Sequence, residues 1–300
     1  MSTLGQVVEF VRHSLSGFDA NKDAVVALAG SASASDLSLP IDDTSAASGV
    51  GRGIVEIDME KIRVARVDAE QGALIVTPTG RGYRGTVAAS HPAGAEVRIN
   101  PSWAASTVAQ EVNGVLREIY PRLYAVKEHE TVFPSDLGAI DLPEEATGIV
   151  AVYVEDSLNA DQWVREDRWV YQPDSTRIGR GLRVGGSRSI GDRIRVVYAA
   201  QPGVFNLNGS LDQDFETVTG LPERVSDLIR LGVATRMAPF IDVARLPFVG
   251  AEARADESRP PQGGAAAGRL LYSMFQDRLE REVQVLHREH PIRLHFTGRA

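Results

Sequence analysis

Six histidines and no cysteine set the limits of side-chain chemistry in this chain. His287, His290 and His295 fall within nine residues and raise the question of a metal. His287 and His290 are three apart at a helix end, Pro291 intervenes, and no carboxylate joins them at a recognised ligand spacing, so no metal is expected. Asp212, Asp214, Glu216 and Glu223 imitate the phasing of a calcium loop. Thr217 stands where that loop needs glycine, and Pro222 begins a helix just before the last ligand position, so an acidic loop capping a helix is expected instead. His91 could act as a base only beside a nucleophile, and bracing a hairpin or lining an interface suits it better.

The remaining patterns carry less. Gly179-Arg180-Gly181 and Gly185-Gly186 lack the lysine and spacing of a phosphate-binding loop. Neither a nucleophile elbow nor a zinc-protease helix is present. Glu144-Glu145 and Glu155-Asp156 are adjacent in sequence, so on a strand each pair would point to opposite faces. Trp163 and Trp169 could stack on sugars, but core packing is the commoner use of tryptophan on strands. No catalytic residue, cofactor or metal site is expected.

The elements that must position these residues can be read from periodicity. Leu4, Val7, Val8, Val11 and Leu15 form a helical stripe, and Thr3 with Gln6 has capping-box spacing. Residues 30–53 are rich in Ser, Ala and Gly and read as a long connector. Val55, Ile57, Met59, Ile62 and Val64, then Leu74-Ile75-Val76 and Val97 with Ile99, suggest strands with a bend near Glu60-Lys61. Val108, Val112, Val115, Leu116 and Ile119 mark a helix capped by Ser102 and ended by Pro121. From Ile140 to Val204, short β-type runs follow one another at the spacing of an antiparallel sandwich. Two helices close the chain, one opened by Pro222 and one carrying Leu271, Phe275, Leu279, Val283 and Leu286, with a connector at 250–268 between them. Domain boundaries are expected at 1–124, 125–204 and 205–300.

Composition is that of a globular chain: 43% hydrophobic and 24% charged. A formal net charge of −8 argues against wholesale nucleic-acid binding. No apolar run approaches the ~20 residues that span a bilayer, and no secretion signal is visible; assembly in a cytoplasm without a membrane is expected. Lysine occurs only at Lys22, Lys61 and Lys127, so most cationic contacts fall to arginine, whose planar fork suits bidentate pairing.

One stretch is more specific than the rest. Gly53-Ile54-Val55-Glu56-Ile57-Asp58-Met59-Glu60 is followed by Gly80-Arg81-Gly82-Tyr83-Arg84-Gly85-Thr86-Val87-Ala88-Ala89-Ser90-His91-Pro92-Ala93-Gly94-Ala95-Glu96-Val97. Gly80, Gly82 and Gly85 alternate with longer side chains and permit tight turns. The expectation is a small β module with a Gly80–Gly94 hairpin from which Arg81 and Arg84 project.

Across residues 50–120 this pattern resembles a segment common in structural proteins of the neck and tail of tailed bacteriophages. The resemblance implies a non-enzymatic virion protein forming a ring, twelve-fold as in head–tail adaptors, that joins the portal to the tail. DNA would pass through the lumen without sequence-specific binding. The fold class implied is α+β: a helical adaptor-like region of about four helices, a small β-hairpin module and an inserted antiparallel β-sandwich. A minor tail or baseplate protein is the alternative within this class, and a phage glycan-binding or hydrolytic protein the alternative outside it. Partners would be other copies, the portal protein and tail or neck proteins. The expected contact residues are Arg81, Tyr83, Arg84 and His91, with Ile292, Leu294 and Phe296 of an extended tail that alternates apolar and polar residues and could add to a partner's sheet edge.

Overall fold

The computed structural model describes residues 2–16, 23–48, 51–133, 139–156, 159–175, 179–185, 190–245 and 263–293. The chain divides into two compact units, the first made of 1–115, 204–218 and 223–276, the second of 116–203, 219–222 and 277–300.

The first unit opens with α1 (Leu4–Ser16). Thr3 and Gln6 exchange reciprocal bonds at its start, Gln6 N–H to Thr3 Oγ1 at 3.3 Å and Thr3 N–H to Gln6 Oε1 at 3.2 Å, which is the capping box read from sequence. Its stripe, Leu4, Val7, Val8, Val11 and Leu15, is fully buried, and the helix packs on α4 (Ser226–Arg245).

In the sequence, α1 is followed by the strands of one sheet, β1 (Ala24–Ala27), β2 (Ser38–Pro40), β3 (Ile54–Ile57), β4 (Glu60–Asp68), β5 (Ala73–Val76) and β6 (Glu96–Ile99), all antiparallel, in the order β1-β6-β3-β4-β5-β2. Strand β4 pairs with β3 through its first residues and with β5 through its later ones, and a register shift between Val64 and Arg66 marks where it turns the corner. The sheet curls until its edge strands meet. Leu28 bridges Ile41, the Ala29 N–H donates to the Pro40 carbonyl at 2.9 Å, and the Asp42 N–H donates to the Ala27 carbonyl at 3.0 Å. Val26, Leu39, Val55, Ile57, Ile62, Leu74 and Val97 fill the interior.

This sheet corrects the expected fold class. Instead of a helical adaptor-like body with a small hairpin module, the chain has thirteen strands and five helices among the described residues, the strands in three antiparallel sheets. The polar stretch 30–53 is no loose connector in its described part. Ala32, Leu39, Ile41 and Ala47 within it are buried although Leu37 is exposed, and β2 supplies the edge on which the curl closes. Short strands carrying one or two apolar residues leave almost no periodic signal. Nor is 80–94 a hairpin: it holds one 3₁₀ turn, Tyr83–Gly85, and no strand pairing of its own.

Helix α2 (Ala105–Ile119) follows β6. Its cap is not Ser102, whose N–H donates to Asp23. The Ala105 N–H donates to Glu56 Oε2 at 2.6 Å, so a carboxylate from β3 sits at the positive end of the helix dipole. Alternation along β3 explains the reach: Val55 and Ile57 face the interior while Glu56 faces outward toward the helices.

The second unit contains β7 (Ala125–Val132), β8 (Ala139–Asp141), β9 (Ala146–Asp156), β10 (Asn159–Arg165), β11 (Trp169–Ser175), β12 (Gly179–Val184) and β13 (Arg193–Ala200). They form a four-stranded sheet, β10-β9-β13-β7, and a three-stranded one, β11-β12-β8, which share one core of Ile140, Val152, Val154, Trp169, Leu182, Ile194 and Val196. The short α3 (Phe215–Thr219) is N-capped by Asp214, which accepts from the Thr217 N–H at 2.9 Å. The last helix, α5, runs Gly263–Glu289. Of the second polar stretch, 250–262 lies outside the described residues, as do Leu294, His295 and Phe296. No helix among the described residues is long and apolar enough to cross a membrane.

Candidate functional site

The residues of the glycine-rich pattern converge on one carboxylate. Glu60 begins β4 beside the β3–β4 turn and is 2% exposed. It accepts five hydrogen bonds: Arg81 Nε at 2.8 Å and Nη2 at 2.9 Å, the Gly82 N–H at 2.8 Å, the Ala89 N–H at 3.1 Å, and His91 Nε2 at 2.9 Å. Arg81 in turn directs its five N–H groups at five acceptors, the two Glu60 oxygens and the carbonyls of Ser33, Asp36 and Ala89. The loop 81–91 and the segment 33–36 are thereby stapled to the end of β4. Ala32 and His91 add a two-way backbone bridge at 2.9 and 2.8 Å.

The charges inside this clamp are fixed by their neighbours. Burial alone would push the Glu60 carboxyl up, but Arg81, His91 and the two backbone N–H groups outweigh it and hold its pKa at about 2. Burial would likewise push the His91 imidazole down, but Asp58, 3.0 Å from Nδ1, and Glu60 hold it at about 9. Both ring nitrogens therefore donate to carboxylates and His91 is an imidazolium at neutral pH. Such a ring has no lone pair with which to act as a base.

Glycine is required where the chain passes closest to itself. A Cβ on Gly80 would lie 2.4 Å from the Arg63 carbonyl oxygen, whereas Gly85 needs only its positive φ of 81°, with open space around it. Gly80→Ala is expected to cost about 1–3 kcal/mol by overpacking, and Gly85→Ala about 1–2 kcal/mol from the left-handed backbone. A shared urea midpoint for Gly80→Ala and wild type would contradict the close approach. Thr86 completes the pattern: its Oγ1 accepts from the Lys61 N–H at 3.0 Å and donates to the Tyr83 carbonyl at 3.0 Å.

What the clamp presents is Arg84. It holds a left-handed φ of 54°, is exposed, and lies 5.6 Å from the Tyr83 ring, which Arg63 also approaches at 5.6 Å. The expected outward projection of Arg81 is overturned, because only 6% of that side chain is accessible. His91, expected to brace a hairpin or line an interface, is equally enclosed and ties the loop to Asp58 and Glu60. Sequence reasoning missed Glu60 as the organising residue; an acidic residue next to a strand turn, upstream of a glycine-rich loop carrying Arg and His, was the available signal.

Beside Arg84 opens a cavity of 560 Å³ lined by Arg52, Lys61, Trp103, Thr107 and Glu111 among others. Lys61 Nζ donates to Thr107 Oγ1 at 2.8 Å. Burial and the Arg84 guanidinium pull its pKa below the ordinary lysine range against the pull of Glu56.

In the second unit, Trp169 is 3% exposed and belongs to the core. Trp163 lies on the outer face of the four-stranded sheet with the Arg195 guanidinium 4.2 Å from its ring centre, so it is no bare platform for a sugar. Tail residue Arg293 bridges β9, its N–H donating to the Ile149 carbonyl at 2.9 Å, and Ile292 lies against Gly148. At this point the tail joins the chain's own sheet. His287 stacks at 6.2 Å on Tyr124. Among the described residues no three His, Asp or Glu side chains form a group able to hold a metal ion.

No protein-family model matches this chain, and no curated protein matches it.

Proposed function

We propose that the chain is a structural protein of a tailed-bacteriophage particle, working at the neck or tail by assembly with neighbouring proteins. The observation that carries this reading is the clamp. The residues through which the sequence resembles such virion proteins, Glu60, Arg81, Gly82, Thr86 and His91, are all engaged in holding a loop on a curled sheet. A rigid loop with an exposed arginine at its tip suits docking against another subunit. The strand-rich architecture favours a tail-side or baseplate position over a chiefly helical adaptor beneath the portal.

Purified particles provide the test. The protein is expected in stoichiometric amounts in mature virions, localised by cryo-electron microscopy to the neck or tail, and its loss is expected to leave unjoined or tail-defective particles. Its absence from purified virions would overturn the proposal. Charge reversal at Arg84 is the clean probe of the loop, since Arg84 makes no ion pair among the described residues, whereas reversal at Arg81 would break the clamp. Arg84→Glu is expected to reduce infectious yield while leaving the thermal midpoint within a degree or two of wild type.

A further inference from the structure

We propose that the cavity beside Arg84 is an acceptor site for an acidic segment of a neighbouring protein, one whose carboxylate side chains alternate with apolar ones. Cations from three separate places in the first unit meet there: Arg52 before β3, Lys61 on β4 and Arg84 on the clamped loop. Arg52 and Arg84 make no hydrogen bond or ion pair among the described residues, and only one Lys61 ammonium N–H is taken, by Thr107. The single acidic residue in the lining, Glu111, is turned to Arg236 at 2.7 Å. The Trp103 indole N–H is buried without a hydrogen-bond partner, an arrangement normally completed by an acceptor.

Arg84 and Lys61 repel each other there, only partly offset by Glu56, so an entering anion is favoured, and the bond from the Gly82 N–H to Glu60 fixes the backbone that carries Arg84. Ile54, Pro101 and Met237 give the same cavity an apolar wall, which selects a segment with apolar side chains between its carboxylates. A volume of 560 Å³ lies within the range of sites that enclose a few side chains. A duplex backbone is too broad for it, and the chain's net charge of −8 repels one.

That the neighbour belongs to a virion rests on the function proposed above; the site itself does not, and a test with purified protein separates the two. The peptide acetyl-Glu-Leu-Glu-Leu-amide would be titrated into ¹⁵N-labelled protein at low salt while the Trp103 indole N–H resonance, assigned with Trp103→Phe, is followed. A saturable shift is expected with Kd of about 1 mM or tighter. It should weaken at least tenfold in Arg52→Glu and be lost in Arg52→Glu/Arg84→Glu, each variant keeping the wild-type thermal midpoint. Should the double variant fail to fold, Arg52→Glu alone decides. The site assignment is overturned by an unmoved Trp103 resonance at several millimolar peptide, or by binding indifferent to Arg52→Glu. It is equally overturned if a short oligothymidylate or inorganic phosphate produces the same shift at the same concentration.

Discussion

Replacing Glu60 with glutamine is expected to destabilise the first unit by about 3–5 kcal/mol, the cost of leaving buried charge without its partner. The substitution keeps the shape of the side chain and changes only its charge and one oxygen. Five donors converge on the two carboxylate oxygens in the native chain. An amide offers one oxygen and turns an N–H₂ group toward the rest, so either Arg81 Nε and the Gly82 N–H, or Arg81 Nη2, the Ala89 N–H and His91 Nε2, lose their acceptor in a site closed to water. The Arg81 side chain, 6% accessible, and the protonated His91 would then share no carboxylate, leaving only Asp58, on the other ring nitrogen of His91, as a nearby counter-charge. Urea denaturation followed by circular dichroism measures the loss, with Arg84→Ala as a surface control expected to stay within about 0.5 kcal/mol. A change below about 1 kcal/mol for Glu60→Gln would show that the clamp does not bear on stability.

Glu56 makes an instructive contrast four residues earlier. It too is buried and paired with an arginine, Arg12, and it accepts a backbone N–H at the start of α2. Yet its pKa is raised, because burial outweighs Arg12 and the Ala105 N–H, whereas the denser donor set around Glu60 reverses the sign. Heavier desolvation at Glu56 and the larger donor set at Glu60 together give the two carboxyls opposite shifts, though each has an arginine.

This pair also shows where the sequence stops being informative. Local rules located α1 together with its cap, because Thr3, Gln6 and the apolar stripe lie within one short window. They located the stripe of α2 but not its cap, since Glu56 is 49 residues away from Ala105. The curled sheet escaped for a related reason: β1 and β2 are four and three residues long, and β2 lies in a Ser/Ala/Gly-rich stretch where Leu39 is the only large apolar residue of its strand. Of the candidate site, the residue types were legible and the direction of their side chains was not. Arg81 and Arg84 look equivalent between glycines, and only the carboxylate brought by β4 separates a buried staple from an exposed tip.

The clamp should also confine the protein's stability to a definite pH window, with the alkaline edge set by His91. Its folded pKa of about 9 lies above its ordinary value of 6.5, so its contribution is fully present below 6.5 and is lost as pH rises through 9. One proton released across that interval corresponds to a loss of up to about 3 kcal/mol. Glu60 sets the other edge with the opposite sign. Its folded pKa of about 2 lies below the ordinary 4.5, so its contribution is present above 4.5 and declines as pH falls toward 2. The groups facing His91 are the Asp58 carboxylate at Nδ1 and the Glu60 carboxylate at Nε2, and Glu60 is shared with the Arg81 guanidinium. Urea midpoints at pH 6, 7.5 and 9.5, each chosen relative to those two values of 6.5 and 9, should fall progressively in the wild type. In His91→Gln the protein starts less stable, but the decline between pH 6.5 and 9 should flatten. Parallel declines in the two proteins would place the titrating group elsewhere and remove His91 from the clamp's energetics.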